Sequence, residues 1–152
     1  MSKDIYSGQC VSVSIQGIDE VIKALESQYS QKKVTRAERK AMELSGRYVK
    51  DHIKHNIVGY KRTGATVREL IAEKPRRRAG QMTAKIGWDG KGTYQRWRLV
   101  HLNEWGYMRN GKHINPRGVG AIRKAVEGSL KEAAEMQFRI LKETLGVITC
   151  VT

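Results

Sequence analysis

Four histidines are the side chains in this sequence best suited to acid–base or metal chemistry: His52, His55, His101 and His113. His52 and His55 stand three apart in a stretch with helical spacing, so a single ligand lies within reach of both. No cysteine joins them at metal-ligand spacing, and Asp51 does so only by an awkward rotation, so the pair reads as two polar residues near a helix end. His101 lies three residues before Glu104, a spacing that suits a general acid and base. No nucleophile stands nearby, and hydrogen bonding at an interface accounts for the pair equally well. His113 sits in a glycine-bearing loop with nothing to pair with. Cys10 and Cys150 lie near opposite ends without CxxC spacing, and are expected to be two ordinary thiols.

Other chemistry-bearing patterns are missing from the sequence. It contains no GxxxxGK[ST] phosphate loop, no GxGxxG, no HExxH and no GxSxG elbow. A nuclease needs clustered acids to hold a metal, and the basic middle of the chain is expected to lack such a cluster. The reading is a non-enzyme with no catalytic, cofactor or metal site.

Charge is the strongest compositional signal. The formal net charge is +14; residues 1–30 sum to −2 and residues 125–152 to −1, so the middle carries +17. Such a field attracts polyanions, whether nucleic acid, an anionic membrane or an acidic protein surface, and otherwise amounts to a solvated basic face. Lys74, Arg76, Arg77 and Arg78 in KPRRRAGQ are candidate contacts to phosphates or to an acidic partner. Arg96 and Arg98, with Tyr94 and Trp97 between and before them, resemble a stacking-plus-charge patch. Core packing of Trp97 is the alternative, because a large aromatic on a short element usually anchors it.

The elements that position these residues follow from periodicity. The chain of 152 residues suits a single domain. Cys10 to Ile15 alternates as a half-buried strand, and Ile18, Val21, Ile22 and Leu25 form the stripe of a short helix. SQYSQKKV reads as a polar linker. Thr35 with Glu38 forms a capping box that opens a helix from about Arg36 to Ile57, one face apolar and the other basic. Val67–Ala72 and Met82–Trp88 fit two strands, joined by a long, flexible, cationic connection over 73–81. A turn at Trp88–Gly92 leads to a short helix over Tyr94–Asn103, then to strand and loop over 104–118. A long helix from about Val119 to Leu145 closes the fold, and VITCV is a candidate edge strand. The expected fold class is α+β, with two long helices on a small antiparallel sheet and a short extra helix. No apolar run is long enough for a membrane span and the N-terminus lacks a secretory signal, so a soluble protein made in a cytoplasm is expected.

Several of these features, taken in order, resemble one family. GIDEVIKALE (Gly17 to Glu26) precedes a long helix carrying AERKAMELSGRYVKDHIKHNI, and Thr63-Gly64 follows after a short basic stretch. Later come the Glu104-Trp105-Gly106 turn, the loop Asn115-Pro116-Arg117-Gly118 and a long helix entered by AIRKAV. This order is similar to that of the tail-completion, or neck, proteins of long-tailed bacteriophages, over about residues 10–145. The resemblance implies a structural virion protein made in the bacterial cytoplasm, forming a homo-oligomeric ring, six-fold as a first expectation. The ring would complete the tail and join it to head-closure or connector proteins on one side and tail-terminator or tail-tube proteins on the other. On this reading Thr63, Gly64, Glu104, Trp105, Gly106 and Pro116 are interface or turn residues. Genomic DNA passing the lumen would be met without sequence preference, and the basic loop Lys74–Arg78 is expected to meet an acidic neighbour ahead of DNA. The competing function is a sequence-non-specific nucleic-acid-binding module, which steep salt dependence as a monomer or dimer would reveal.

Overall fold

The computed structural model describes residues 11–12, 18–59 and 63–146. Its architecture mixes helices with small antiparallel sheets. The chain runs β1 (Val11–Ser12), α1 (Ile18–Gln28), α2 (Gln31–Val58), α3 (Ala65–Arg68), β2 (Leu70–Ala72), β3 (Arg76–Arg78), β4 (Gln81–Thr83) and β5 (Lys85–Trp88). A single 3-10 turn at Arg96–Arg98 leads into α4 (Val100–Trp105), β6 (Tyr107–Arg109), β7 (Lys112–Ile114) and α5 (Ala121–Leu145). The packing of the α1 stripe, the strand ends around Cys10 and Ile15, the VITCV segment and both cysteines lie outside the described residues.

Helices α2 and α5, of 28 and 25 residues, lie antiparallel and bury their apolar stripes against each other. At one end Val34, Ala37 and Ala41 of α2 meet Ile140, Leu141 and Leu145 of α5. At the other end Val49, Ile53 and Ile57 pack with Ile122, Ala125 and Ala133, and with Leu70, Ile86 and Trp88 from the sheet. A polar tier separates these two clusters: buried Gln137 donates from Nε2 to the Ser45 hydroxyl at 2.8 Å. The central sheet has strand order β1-β5-β2, with Leu70 opposite Trp88 and Val11 opposite Ile86. Its approach to α2 is close at Gly46, where a Cβ would stand 3.6 Å from that of Ala84.

Five local expectations are corrected. Helix α2 begins at Gln31, so Thr35 lies inside it and the SQYSQKKV linker shrinks to Tyr29 and Ser30. The Ser30 carbonyl accepts from Lys33 and Val34 N–H groups, and fully buried Val34 draws this polar stretch into the helical pair. Glu38 does not cap either; its carboxylate is buried and bonds Arg77. The connection over 73–81 is not a flexible loop, because Arg76–Arg78 pairs with Gln81–Thr83 as a hairpin. Its two turn residues, Ala79 and Gly80, both take positive φ (47° and 84°), the conformation whose twist matches the flanking strands.

Residues 65–68 form a helical turn that takes Val67 and Arg68 out of the expected strand, so β2 starts only at Leu70. Gly64, at φ 73°, redirects the chain, and the Trp88 indole N–H fixes the turn by donating to the Thr66 carbonyl at 2.8 Å. The short helix expected over Tyr94–Asn103 is broken in two. Buried Glu69 accepts from the backbone N–H groups of Tyr94 and Arg96 at 2.6 and 2.8 Å, which holds the chain in a turn there. Gly92 is required beneath it, since a Cβ would fall 2.5 Å from the Glu69 carboxyl carbon.

Candidate interaction surfaces

The corner formed by α4, the β6–β7 hairpin and the start of α5 collects one set of residues singled out from sequence. Glu104 is buried, and its carboxylate accepts from the Ile122 and Arg123 N–H groups at 2.9 and 3.0 Å. A carboxylate there satisfies orphan donors of the α5 N-terminus and lies favourably in the helix dipole. The Glu104 carbonyl also accepts from Gly120 N–H at 3.0 Å. Glu104 is therefore an internal cap, and both of its carboxylate oxygens point to α5; His101, three residues back, gains no acid–base geometry from it. Gly106 turns the chain at φ 77°, with His113 and Ile114 so close that a Cβ would clash at 2.8 Å. Pro116 accepts from Val119 N–H at 3.2 Å in the loop that delivers α5.

Trp105 behaves differently from its two neighbours. It is 67% exposed, and Met108 on β6 is 65% exposed, the two most exposed large apolar side chains among the described residues. Ile114 and Val119 are exposed as well, Ile114 on the face of the hairpin opposite Met108. Sequence reasoning found Trp105 but not Met108, Ile114 or Val119. The available signal was Asn110-Gly111, a two-residue hairpin turn with both φ positive (51° and 72°) that pairs Arg109 with Lys112.

The basic residues separate into groups that the sequence does not distinguish. Lys74 and Arg76–Arg78 are exposed, but Arg77 bonds Glu38 and Arg78 lies 3.7 Å from Glu73. Arg96 and Arg98 lie on the 3-10 turn. Arg98 stacks over the Trp97 ring at 5.6 Å, while half-buried Trp97 packs against the core, as the anchoring alternative has it. Tyr94 is exposed and lies under the Arg68 guanidinium at 5.4 Å instead. Thr63 is exposed, and its carbonyl accepts from Arg68 at 3.2 Å beside the Gly64 turn. Farther along α2, half-buried His52 contacts Tyr48, with ring centroids 5.6 Å apart, while His55 is exposed. Among the described residues no group of three or more His, Cys, Asp or Glu side chains is placed to hold a metal ion. No described helix is long and apolar enough to cross a membrane.

The largest cationic feature is α2 itself. Lys32, Arg36, Arg39, Lys40 and Lys54 are exposed on its outer face, with half-buried Lys50 in the same row. The acids on that face are already engaged: Glu43 binds Arg47 at 2.7 Å, and Asp51 lies 4.0 Å from Lys50. No family model, curated protein or solved structure matches this chain.

Proposed function

We propose that this protein is a structural subunit of the neck of a long-tailed bacteriophage, closing into a homo-oligomeric, six-fold ring that completes the tail and joins it to the head connector. The order of sequence motifs supports the family. The observation that carries the assembly reading is the exposure of Trp105 and Met108 beside the β6–β7 hairpin. An isolated two-stranded hairpin is marginal in water, and β6 and β7 expose nearly all of their residues. A tryptophan two-thirds exposed at such a site is the type of residue that anchors protein interfaces. A heterologous contact made through this corner closes without a free end when it generates a ring. In this reading Trp105 and Met108 meet the neighbouring subunit, while Glu104, Gly106 and Pro116 shape the corner from within. The head-closure and tail-tube sides remain for the two ends of the ring, and the protein acts in the virion.

Light scattering on the purified chain, alone and mixed with tail-tube or head-closure proteins, tests the proposal. A ring-sized species is expected in at least one condition, and Trp105→Ser with Met108→Ser is expected to dissociate it while the circular dichroism spectrum is unchanged. A persistent monomer in every mixture would overturn the ring. Assembly undiminished by the double variant would overturn this corner as the contact.

A further inference from the structure

We infer that the outer face of α2 is a binding surface for the phosphodiester backbone of duplex nucleic acid. Six cations carry it: Lys32, Arg36, Arg39, Lys40, Lys50 and Lys54. At 3.6 residues per turn these positions return to one side of the helix, forming a row about 33 Å long at 1.5 Å per residue. Among the described residues no carboxylate pairs with Lys32, Arg36, Arg39, Lys40 or Lys54, whereas Glu43 and Asp51 are each beside a cation of the same helix. The row therefore presents a net surplus of positive charge. At the N-terminal end an open groove is lined by Gln31, Lys32, Thr35, Arg36 and Arg39. Its amide and hydroxyl groups suit phosphate oxygens as well as its charges do.

The composition of the row selects among polyanions. Protein interfaces have a core depleted in charge and enriched in aromatic and apolar groups, and this row has none. A membrane-surface helix needs an apolar face to insert, yet the opposite face of α2 is committed to the core. Single strands are held by stacking on aromatic rings, which the row also lacks. What remains is a linear, sequence-blind set of point charges, the arrangement that neutralises phosphates along a duplex. This assignment stands whether or not the protein forms a ring.

Fluorescence anisotropy with a mixed-sequence duplex of about 20 base pairs, titrated from about 50 to 300 mM KCl, provides the test. If about four phosphates are neutralised, the logarithm of the binding constant falls with that of the salt concentration at a slope of about −4. The triple variant Arg36→Gln, Arg39→Gln and Lys40→Gln is expected to reduce the slope by about 2–3 and weaken binding at least about tenfold near 100 mM salt. Lys131→Gln, Arg139→Gln and Lys142→Gln, on the exposed side of α5, removes the same charge and should leave the slope unchanged. All of these side chains are exposed, so folding is expected to survive, and circular dichroism checks it. Absence of binding at low salt, equal losses in both triple variants, or equally strong competition by a charge-matched polyglutamate peptide would each overturn the assignment. Light scattering on the same samples keeps a failure here separate from a failure to assemble.

Discussion

At the scale of single residues, the buried carboxylates show how side chains suited to chemistry are committed to structure. Glu104 bonds two backbone donors of α5 across a wide sequence gap, and Glu69 does the same for Tyr94 and Arg96. Replacing Glu104 with Gln sets an amide N–H₂ against a backbone N–H, which leaves buried donors unsatisfied. Urea denaturation is expected to show a loss of about 1–3 kcal/mol. A residue that acted only at an interface would leave this monomer measurement unmoved. Tyr48 gives a second prediction. Its hydroxyl donates to Glu132 at 2.5 Å. That bond, followed by desolvation and by the negative charge of Glu132, raises the phenol above the ordinary tyrosine value. The folded state then keeps its proton at a pH where the unfolded chain has lost it. The stabilisation is complete below about pH 10 and is lost as pH rises through the folded value. Tyr48→Phe should flatten the alkaline fall of the urea midpoint; an unchanged slope would refute the coupling.

At the scale of elements, the antiparallel α2–α5 pair organises the molecule. Its two apolar clusters are separated by the tier in which Gln137 bonds Ser45. Ser45→Ala leaves the buried Gln137 donor only the weak Met42 Sδ acceptor at 3.7 Å and is expected to cost about 1–3 kcal/mol. Adding Gln137→Leu removes the orphan, so the double variant should be more stable than additivity predicts. A double-mutant cycle measured by denaturant unfolding checks this, and strict additivity would show that the two side chains do not interact. The helices were legible because their periodicity is long; their ends were less so. Thr35 and Glu38 have the spacing of a capping box, yet Val34 is fully buried and extends α2 back to Gln31. Local cap chemistry lost there to burial against α5. The PRRRAGQ hairpin is not legible in sequence because its turn begins with alanine, whereas Asn110-Gly111 is a strong turn signal.

At the scale of the whole molecule, two surfaces of different character leave the fold on separate elements. The Trp105–Met108 corner is apolar and carried by a hairpin with little support of its own, and the α2 row is cationic and carried by the most extensively packed helix. If the corner mediates assembly, the Trp105→Ser, Met108→Ser variant should also remove the concentration dependence of the melting temperature that an oligomer shows. Loss of that dependence with retained duplex binding would separate the two surfaces. An invariant melting temperature in the unaltered protein would instead count against the ring.

The sequence alone determined the mixed helical and strand composition, the long helices, the basic outer face of the first of them and the excess of positive charge. Those properties follow from residue types and spacings within one segment. Tertiary structure decided which charged groups remain available. Arg77 and Glu38 are distant in sequence and meet only through the hairpin, and Glu104 and Trp105 are adjacent yet point to opposite fates, one under α5 and one into solvent. The physical reason is that burial and hydrogen-bond partners come from elements remote along the chain, so a motif reveals the residue type at each position and the fold decides whether that residue faces the core or a partner.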